Sequence, residues 1–366
     1  MAGLSPRVRA LVQPQLADFE PYDPGFKPCR INLSANENTW PLPQGMRGAM
    51  DASLASTPTN RYPDPMSNAL RDELAAWHGV SRENVFVSNG GDEALFDLFL
   101  AFGGPGRTLL DCPPSFSVYE LYSTMVGTTY ASVPRDAETL APDVDALVEG
   151  AASADIVVVT SPNNPTGDLF GLDGVERLAR ACPGLVLVDE AYGEFAPEGT
   201  SAASLMGTYD NVIVLHTLSK AFSCAGIRCG YLLAPADVVD ALAAVRQPYS
   251  VNVLTQAVAA TVVARRDAFA PTISGIVAER ERLSARLAAL AGGDAVRVWP
   301  SSANFLLVRL PHASEVRARL RDEYSILVRD FSATPGLADC LRVSVGTPAE
   351  DDALLDALAT LLKEES

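Results

Sequence analysis

A chain of 366 residues with 48% hydrophobic content is long enough for two domains, or for one large domain with a smaller lobe, and disorder is excluded as the default. Its 28 Lys and Arg stand against 45 Asp and Glu, a net charge of −17. Such a surface repels phosphate backbones and anionic membranes, which argues against nucleic acid as a partner; any anionic ligand must be held by a few local arginines, by backbone N–H groups and by helix N-termini.

The opening, MAGLSPRVRALVQPQ, has no apolar run long enough for a signal peptide, and no stretch anywhere is apolar enough to span a membrane, so a cytoplasmic protein is expected. Cys29, Cys112, Cys182, Cys224, Cys229 and Cys340 are scattered without CxxC spacing, and only three histidines accompany them. That spacing predicts reduced thiols, no disulfide framework and no metal site.

Residues 36–65, rich in Pro and Asn, read as ordered loops around one short helix. From about 80 to 235 short β-rich runs alternate with helical stretches. The runs are 85–88, 108–111, 155–160, 185–189, 212–216 and 230–233, with helices fitting at 92–102, 116–125 and 172–180. Several runs are continuous Val/Ile/Leu, as in strands buried on both faces of a parallel sheet. The pattern predicts an α/β domain with a mostly parallel sheet. A long helical tract at about 255–290 follows, then separated strands at 304–309, 326–329 and 341–345 with helices at 313–323 and 349–363, which suggests a smaller α+β lobe.

Ligands of open parallel sheets bind beyond the carboxyl ends of the strands. The run at 85–88 delivers Asn89-Gly90-Gly91-Asp92-Glu93 at a helix start, and the run at 155–160 delivers SPNNPTG (161–167). The run at 185–189 ends in Asp189-Glu190-Ala191-Tyr192, and the run at 212–216 leads into Thr217-Leu218-Ser219-Lys220, with Gly226 and Arg228 soon after. Each piece alone has an ordinary reading: Gly90-Gly91 as a tight turn, Asn164-Pro165-Thr166-Gly167 as a loop, Asp189 as a helix cap or half an ion pair, Lys220 as a surface residue. Their force lies in falling, in order, at the ends of four predicted neighbouring strands.

Here the sequence resembles the fold type I aminotransferases and, within them, the histidinol-phosphate aminotransferase family. SPNNPTG (161–167), VDEAY (188–192), TLSKAFSCAGIRCGY (217–231) and ILVRDFS (326–332) carry the resemblance. EPYDPG (20–25), LSANEN (33–38), NRYPDP (60–65), NGGDEAL (89–95), PPSFSVY (113–119) and LRVSVG (341–346) extend it over nearly the whole chain. It implies a large cofactor-binding domain over residues 46–275 and a small α+β domain built from 1–45 plus 276–366. It also implies pyridoxal 5'-phosphate as cofactor, carried by Lys220 as a Schiff base, with Asp189 keeping the pyridine nitrogen protonated so that the ring can accept electrons. Lys220, once displaced, would shuttle the substrate's proton.

In the same resemblance Tyr192 and Asn164 bond the ring's phenolate oxygen and Phe116 stacks on the ring. The cofactor's phosphate is met by the N–H groups around Gly91 and Asp92, by Thr217 and Ser219, by Arg228, and by Tyr62 from the other subunit. The implied protein is a homodimer with shared active sites. Arg342 stands where the family's carboxylate-binding arginine is found. Arg329 and Tyr22 match its extra phosphate ligands, which two-pronged guanidinium contacts suit. Tyr249 and Asn36 would line the imidazole or side-chain region. The implied reaction is histidinol phosphate with 2-oxoglutarate, and glutamate in return. Three alternatives stay open: an aromatic amino-acid aminotransferase, a phosphothreonine decarboxylase, and a cofactor-binding regulator, the last disfavoured by the intact Lys220, Asp189 and Tyr192. His216 reads as packing near a strand end, and His78 and His312 as surface or helix-end residues.

Overall fold

Runs such as Ile-Val-Val-Val-Thr can bury a side chain at every position only in a strand covered on both faces. The structure, a computed structural model, describes residues 4–17, 19, 27–290 and 296–364. Its strands are β1 (Ile31–Leu33), β2 (Val85–Ser88), β3 (Thr108–Asp111), β4 (Thr129–Ser132), β5 (Ile156–Thr160), β6 (Leu185–Asp189), β7 (Val212–Thr217), β8 (Gly230–Leu233), β9 (Arg297–Val298), β10 (Phe305–Arg309), β11 (Ile326–Asp330) and β12 (Cys340–Ser344). Its helices are α1 (Pro6–Arg9), α2 (Met46–Ser56), α3 (Asn68–His78), α4 (Gly91–Phe102), α5 (Val118–Val126), α6 (Val144–Ala151), α7 (Leu172–Ala181), α8 (Ala236–Val245), α9 (Val253–Ala264), α10 (Ala270–Ala288), α11 (Ala313–Tyr324) and α12 (Pro348–Glu364).

The larger sheet has the order β2-β8-β7-β6-β5-β3-β4. Neighbours from β7 through β4 pair in parallel, and β8 is antiparallel to both β2 and β7. The sheet is therefore mostly parallel, as its apolar runs imply. Because side chains alternate along a strand, each face has its own core. Val157, Val159, Val186, Val188, Val212 and Val214 point into one, with Leu178 of α7 and Val258 of α9. Ile156, Val158, Leu187, Ile213 and Leu215 point into the other, with Leu95 and Phe99 of α4 and Leu242 of α8. Strand β4 was not foreseen: it is an edge strand whose residues are only half-buried or exposed, so its sequence lacks a continuous apolar run.

The smaller sheet runs β1-β11-β12-β10-β9, with β1 parallel to β11 and the other pairs antiparallel. One face is covered by α10, α11 and α12 through Leu283, Leu287, Val316, Leu320, Leu354, Leu358 and Leu361. Leu341 and Val343 of β12 and Val328 of β11 point into that core, so by alternation Arg342, Ser344 and Arg329 are turned to the opposite face, towards the larger sheet. We propose the division 46–275 against 1–45 plus 276–366. The division falls inside α10, whose Ile276 joins a core of the larger sheet while Leu283 and Leu287 join that of the smaller.

The predicted helical tract at 255–290 is two helices. α9 ends at Ala264, a 3-10 turn follows over Arg266–Phe269, and α10 begins at Ala270 with Pro271 in its first turn. A proline has no N–H to donate and is tolerated only there, so it marks a start and not a continuation.

Strand β8 passes very close to the turn between β2 and α4. A Cβ at Gly230 would lie 2.5 Å from the Gly90 carbonyl carbon and from the Gly91 nitrogen. These are backbone atoms and cannot swing away. Gly230→Ala is therefore expected to lower unfolding stability by about 1–3 kcal/mol through overpacking, read from denaturant melts; an unchanged midpoint would show that the turn gives way freely.

Candidate active site

A cavity of about 1100 Å³ lies where the carboxyl ends of β5, β6 and β7 meet the inner face of β11 and β12. Its lining includes Gly91, Asp92, Phe116, Asn164, Asp189, Tyr192, Thr217, Ser219, Lys220, Arg228, Asn36, Arg329 and Arg342. The strand bodies are apolar on both sides, so the polar residues collect at their ends, where rigid backbone fixes them.

Asp189 ends β6 and is buried, 4% exposed. Its Oδ2 accepts a 2.6 Å bond from the Tyr119 hydroxyl, and its Oδ1 accepts from the Ala191 N–H at 3.0 Å. Burial raises its pKa; the two hydrogen bonds and the positive charge of Lys220 act against that rise. Lys220, just past β7, donates from Nζ to the Ala35 carbonyl at 2.9 Å. Desolvation lowers its pKa to about 8, with the Arg342 charge adding to the fall and Glu37 and Asp92 opposing it. An amine so depressed reaches its neutral, nucleophilic form near physiological pH.

Tyr192 packs edge-on against Phe305, ring centroids 5.0 Å apart, and its hydroxyl accepts from Asn36 Nδ2 at 2.9 Å. Asn36 is held at a positive φ of 55°. Its backbone N–H donates to Ser344 Oγ at 2.8 Å, its Oδ1 accepts from Ser344 at 3.0 Å, and its carbonyl accepts from Asn304 at 3.0 Å. Asn36 thus reaches Tyr192 from a fixed position. Arg342 donates to Asn164 Oδ1 at 2.5 Å and to the Ser34 carbonyl at 2.6 Å, with Phe305 and Phe331 each 5.4 Å from its guanidinium carbon. Arg329 stands directly opposite Arg342 in the β11–β12 register.

At one end of the cavity are groups suited to a phosphate. Thr217 Oγ1 and Ser219 Oγ lie 3.0 Å apart. Arg228, itself at a positive φ of 56°, bonds Asp92 Oδ2 at 3.0 Å beside the N-terminus of α4. Gly90 has φ +88°, a conformation that calls for glycine, and a Cβ there would lie 2.5 Å from the movable Nη2 end of Arg228. The first N–H groups of α4 have no partners within the helix and favour an anion. Phe116 also lines the cavity, edge-on to Tyr119 at 5.7 Å. A buried carboxylate, a depressed lysine, a flat aromatic face and a hydroxyl–guanidinium–helix anion cradle in one cavity fit the donor set that pyridoxal 5'-phosphate needs.

Other expected residues lie elsewhere. Tyr62 and Tyr249 are not in this chain's cavity lining; their rings stack on each other, centroids 4.7 Å apart, with Tyr62 81% exposed. Tyr22 lies outside the described residues. His78 ends α3 as read, yet it also packs inward: Nε2 is 2.8 Å from the Tyr231 hydroxyl and the ring stacks on that of His216. Burial lowers its pKa to about 4, with Arg266 adding, and lowers that of His216 further below its usual value. Sequence reasoning assigned no role to Tyr119, which stands in the first turn of α5, three residues after Phe116 in the loop before it. Nor did it single out Ser344 or Phe305, whose positions depend on the register of β10 and β12.

Comparison with known proteins agrees with this geometry. The model of the family "Aminotransferase class I and II" matches residues 30–358. The histidinol-phosphate aminotransferase of Thermobifida fusca (strain YX) is 42% identical over 350 residues, covering 93% of this chain and 92% of that protein. That of Roseiflexus castenholzii (strain DSM 13941 / HLO8) is 39% identical over 373 residues, covering 96% and 98%. The crystal structure of histidinol-phosphate aminotransferase from Sinorhizobium meliloti in complex with pyridoxal-5'-phosphate superposes with a TM-score of 0.86 over 97% of this chain and 98% of that one, at 24% identity, and so shares the fold. With the motifs, the cavity and these relatives in agreement, the chain belongs to the class I and II aminotransferases, pyridoxal-phosphate enzymes of fold type I, and within them to the histidinol-phosphate aminotransferase family.

Proposed function

We propose that the protein moves an amino group between the pair histidinol phosphate and imidazole acetol phosphate and the pair glutamate and 2-oxoglutarate, serving histidine biosynthesis in the cytoplasm. The observation that carries the substrate side is the register of Arg329 against Arg342, both lining the cavity. Like charges opposed on neighbouring strands repel, and an anion held between the two guanidiniums would offset that repulsion. A phosphate monoester offers three oxygens to two forked guanidiniums, whereas a carboxylate is served by one. Leu16, Leu121, Tyr122, Met125 and Phe331 supply an apolar wall for a flat ring.

Bound pyridoxal phosphate supplies a conjugated sink for the electrons released when the substrate's Cα–H bond breaks. The chain's own residues do the rest. Asp189, anionic and fixed by Tyr119 and Ala191, holds a proton on the ring nitrogen. Lys220 Nζ provides the attachment point and then takes and returns the Cα proton, as its lowered pKa permits. Tyr192 and Asn164 would hold the cofactor's phenolate side, and Phe116 would cover the ring. Thr217, Ser219, Arg228 and the α4 N-terminus at Gly91 and Asp92 retain the cofactor's phosphate. Asn36 fixes Tyr192 and borders the substrate side chain. The small sheet, docked through Arg342, excludes water from the reacting atoms.

The exposed Tyr62–Tyr249 stack supports a homodimer in which Tyr62 reaches the cofactor phosphate of the other subunit and Tyr249 borders the shared site. Among the described residues no helix is long and apolar enough to cross a membrane.

The reading is tested by incubating purified protein with histidinol phosphate and 2-oxoglutarate and assaying imidazole acetol phosphate. Faster turnover of an aromatic amino acid, or carbon dioxide release from phosphothreonine, would overturn it. The rate at which cofactor attaches to cofactor-free protein is expected to rise with pH to about 8 and level off above, as Lys220 loses its proton, and Lys220→Ala should abolish attachment and amino transfer. Arg329→Ala should raise the barrier for histidinol phosphate by about 2–4 kcal/mol and for glutamate by less, with Arg329→Lys recovering only part, read as kcat/KM for each half-reaction. Tyr62→Phe should weaken cofactor retention. Mixing it with Lys220→Ala protomers should yield hybrids with one intact site and recovered activity; confirmed subunit exchange without rescue would count against a shared site.

A further inference from the structure

We infer that Tyr119 is a positioning residue for the reaction: its hydroxyl fixes the orientation and the charge state of the Asp189 carboxylate, and through it the protonation of the cofactor's ring nitrogen. The inference rests on the reading above that Asp189 faces that nitrogen. Tyr119 lies on α5, fully buried, with its hydroxyl 2.6 Å from Asp189 Oδ2 and 2.8 Å from Thr160 Oγ1. With Asp189 ionised, as its role requires, the directions of these bonds follow. An ionised carboxylate can only accept, so the single phenolic proton goes to Asp189, and Thr160 must then donate its own proton to the phenolic oxygen. Thr160, Tyr119 and Asp189 form a one-way chain in a desolvated site, where each bond polarises the next.

The chain of bonds matters because Asp189 is buried. Desolvation favours its neutral form, and a neutral carboxylic acid cannot hold a proton on the ring nitrogen; the phenol's bond to the anion acts in the opposite direction. With Oδ1 occupied by the Ala191 N–H and Oδ2 by Tyr119, the carboxylate plane is also fixed. The same ring stands edge-on to Phe116, so one side chain braces both the group that meets the ring's nitrogen and the one that meets its face.

The test loads the protein with pyridoxal phosphate labelled with 15N in the ring and reads the nitrogen signal by NMR, beside cofactor affinity, kcat and KM. Tyr119→Phe is expected to move the signal towards that of a neutral pyridine, to weaken cofactor binding, and to lower kcat roughly ten- to hundred-fold with little change in KM, the scale of one lost hydrogen bond to a charged group. Placing 2,3-difluorotyrosine at position 119 keeps the hydroxyl and nearly the same shape while making it a stronger donor, and is expected to move the signal the other way. That reading stands whether or not the phenylalanine variant folds. Asp189→Asn is the reference: if it leaves the nitrogen signal unchanged, the assignment of Asp189 itself fails. If Asp189→Asn moves the signal while fluorination at 119, and Tyr119→Phe where it folds, leave it in place, the inference about Tyr119 alone is overturned.

Discussion

Arg342 sends one guanidinium nitrogen to the Asn164 side chain and another to the Ser34 carbonyl, joining the middle of β12 to the loops after β5 and β1. The cavity lies at that junction. A guanidinium is costly to bury unless it is hydrogen-bonded, and here an amide oxygen and a peptide carbonyl meet it while Phe305 and Phe331 flank it. The small sheet is thereby held over the strand ends of the large one. The Asn36–Tyr192 bond, the Lys220–Ala35 bond and the packing of Tyr192 on Phe305 reinforce the same junction. With it, Arg329 is delivered by register to a set position opposite Arg342 in the cavity lining.

Within the cavity, charge is managed by geometry more than by counting. The chain carries a net −17, yet the cavity lining sets Lys220, Arg228, Arg329 and Arg342 against Glu37, Asp92, Asp189 and Asp330. The proximity of Arg342 adds to burial in lowering the Lys220 pKa, so the guanidinium that joins the two sheets also helps to keep the lysine's proton mobile. Farther back, Glu190 and Glu194 are pushed up to about 7 and about 8 by burial, beside His216, whose ring burial keeps neutral. Burial thus weakens the charge of the polar layer behind the strand ends.

Much of this was legible in the amino-acid order. Strands β5, β6 and β7 are continuous apolar runs, and a run of that kind has few other homes; the residues that follow them gather in one cavity because parallel strands end on the same side. The parts not legible are those decided by contact across long stretches of chain. Strand β4 is half-exposed and carries no apolar signature. The break between α9 and α10 is announced only by Pro271, inside a tract that otherwise reads as helix. Nothing local marks Tyr119 as the partner of Asp189, 70 residues away. The packing of His78 on His216 and Tyr231 likewise appears only once α3 is docked on the sheet.

The pairing of β1 with β11 shapes how the chain can be assembled on the ribosome. The Arg30 N–H bonds Ser325 Oγ across 295 residues of sequence, and Ile31 pairs with Ile326. During synthesis the first strand therefore emerges long before its partner exists. The larger sheet, whose strands all lie between β1 and α10, can close in the meantime, as domains generally fold as units while the chain lengthens. The early strand, with Ile31 and Leu33 uncovered until then, stays without its partner until nearly the whole chain has emerged. Completion of the smaller sheet, and with it the enclosure of the cavity, is a late event in the life of each new molecule.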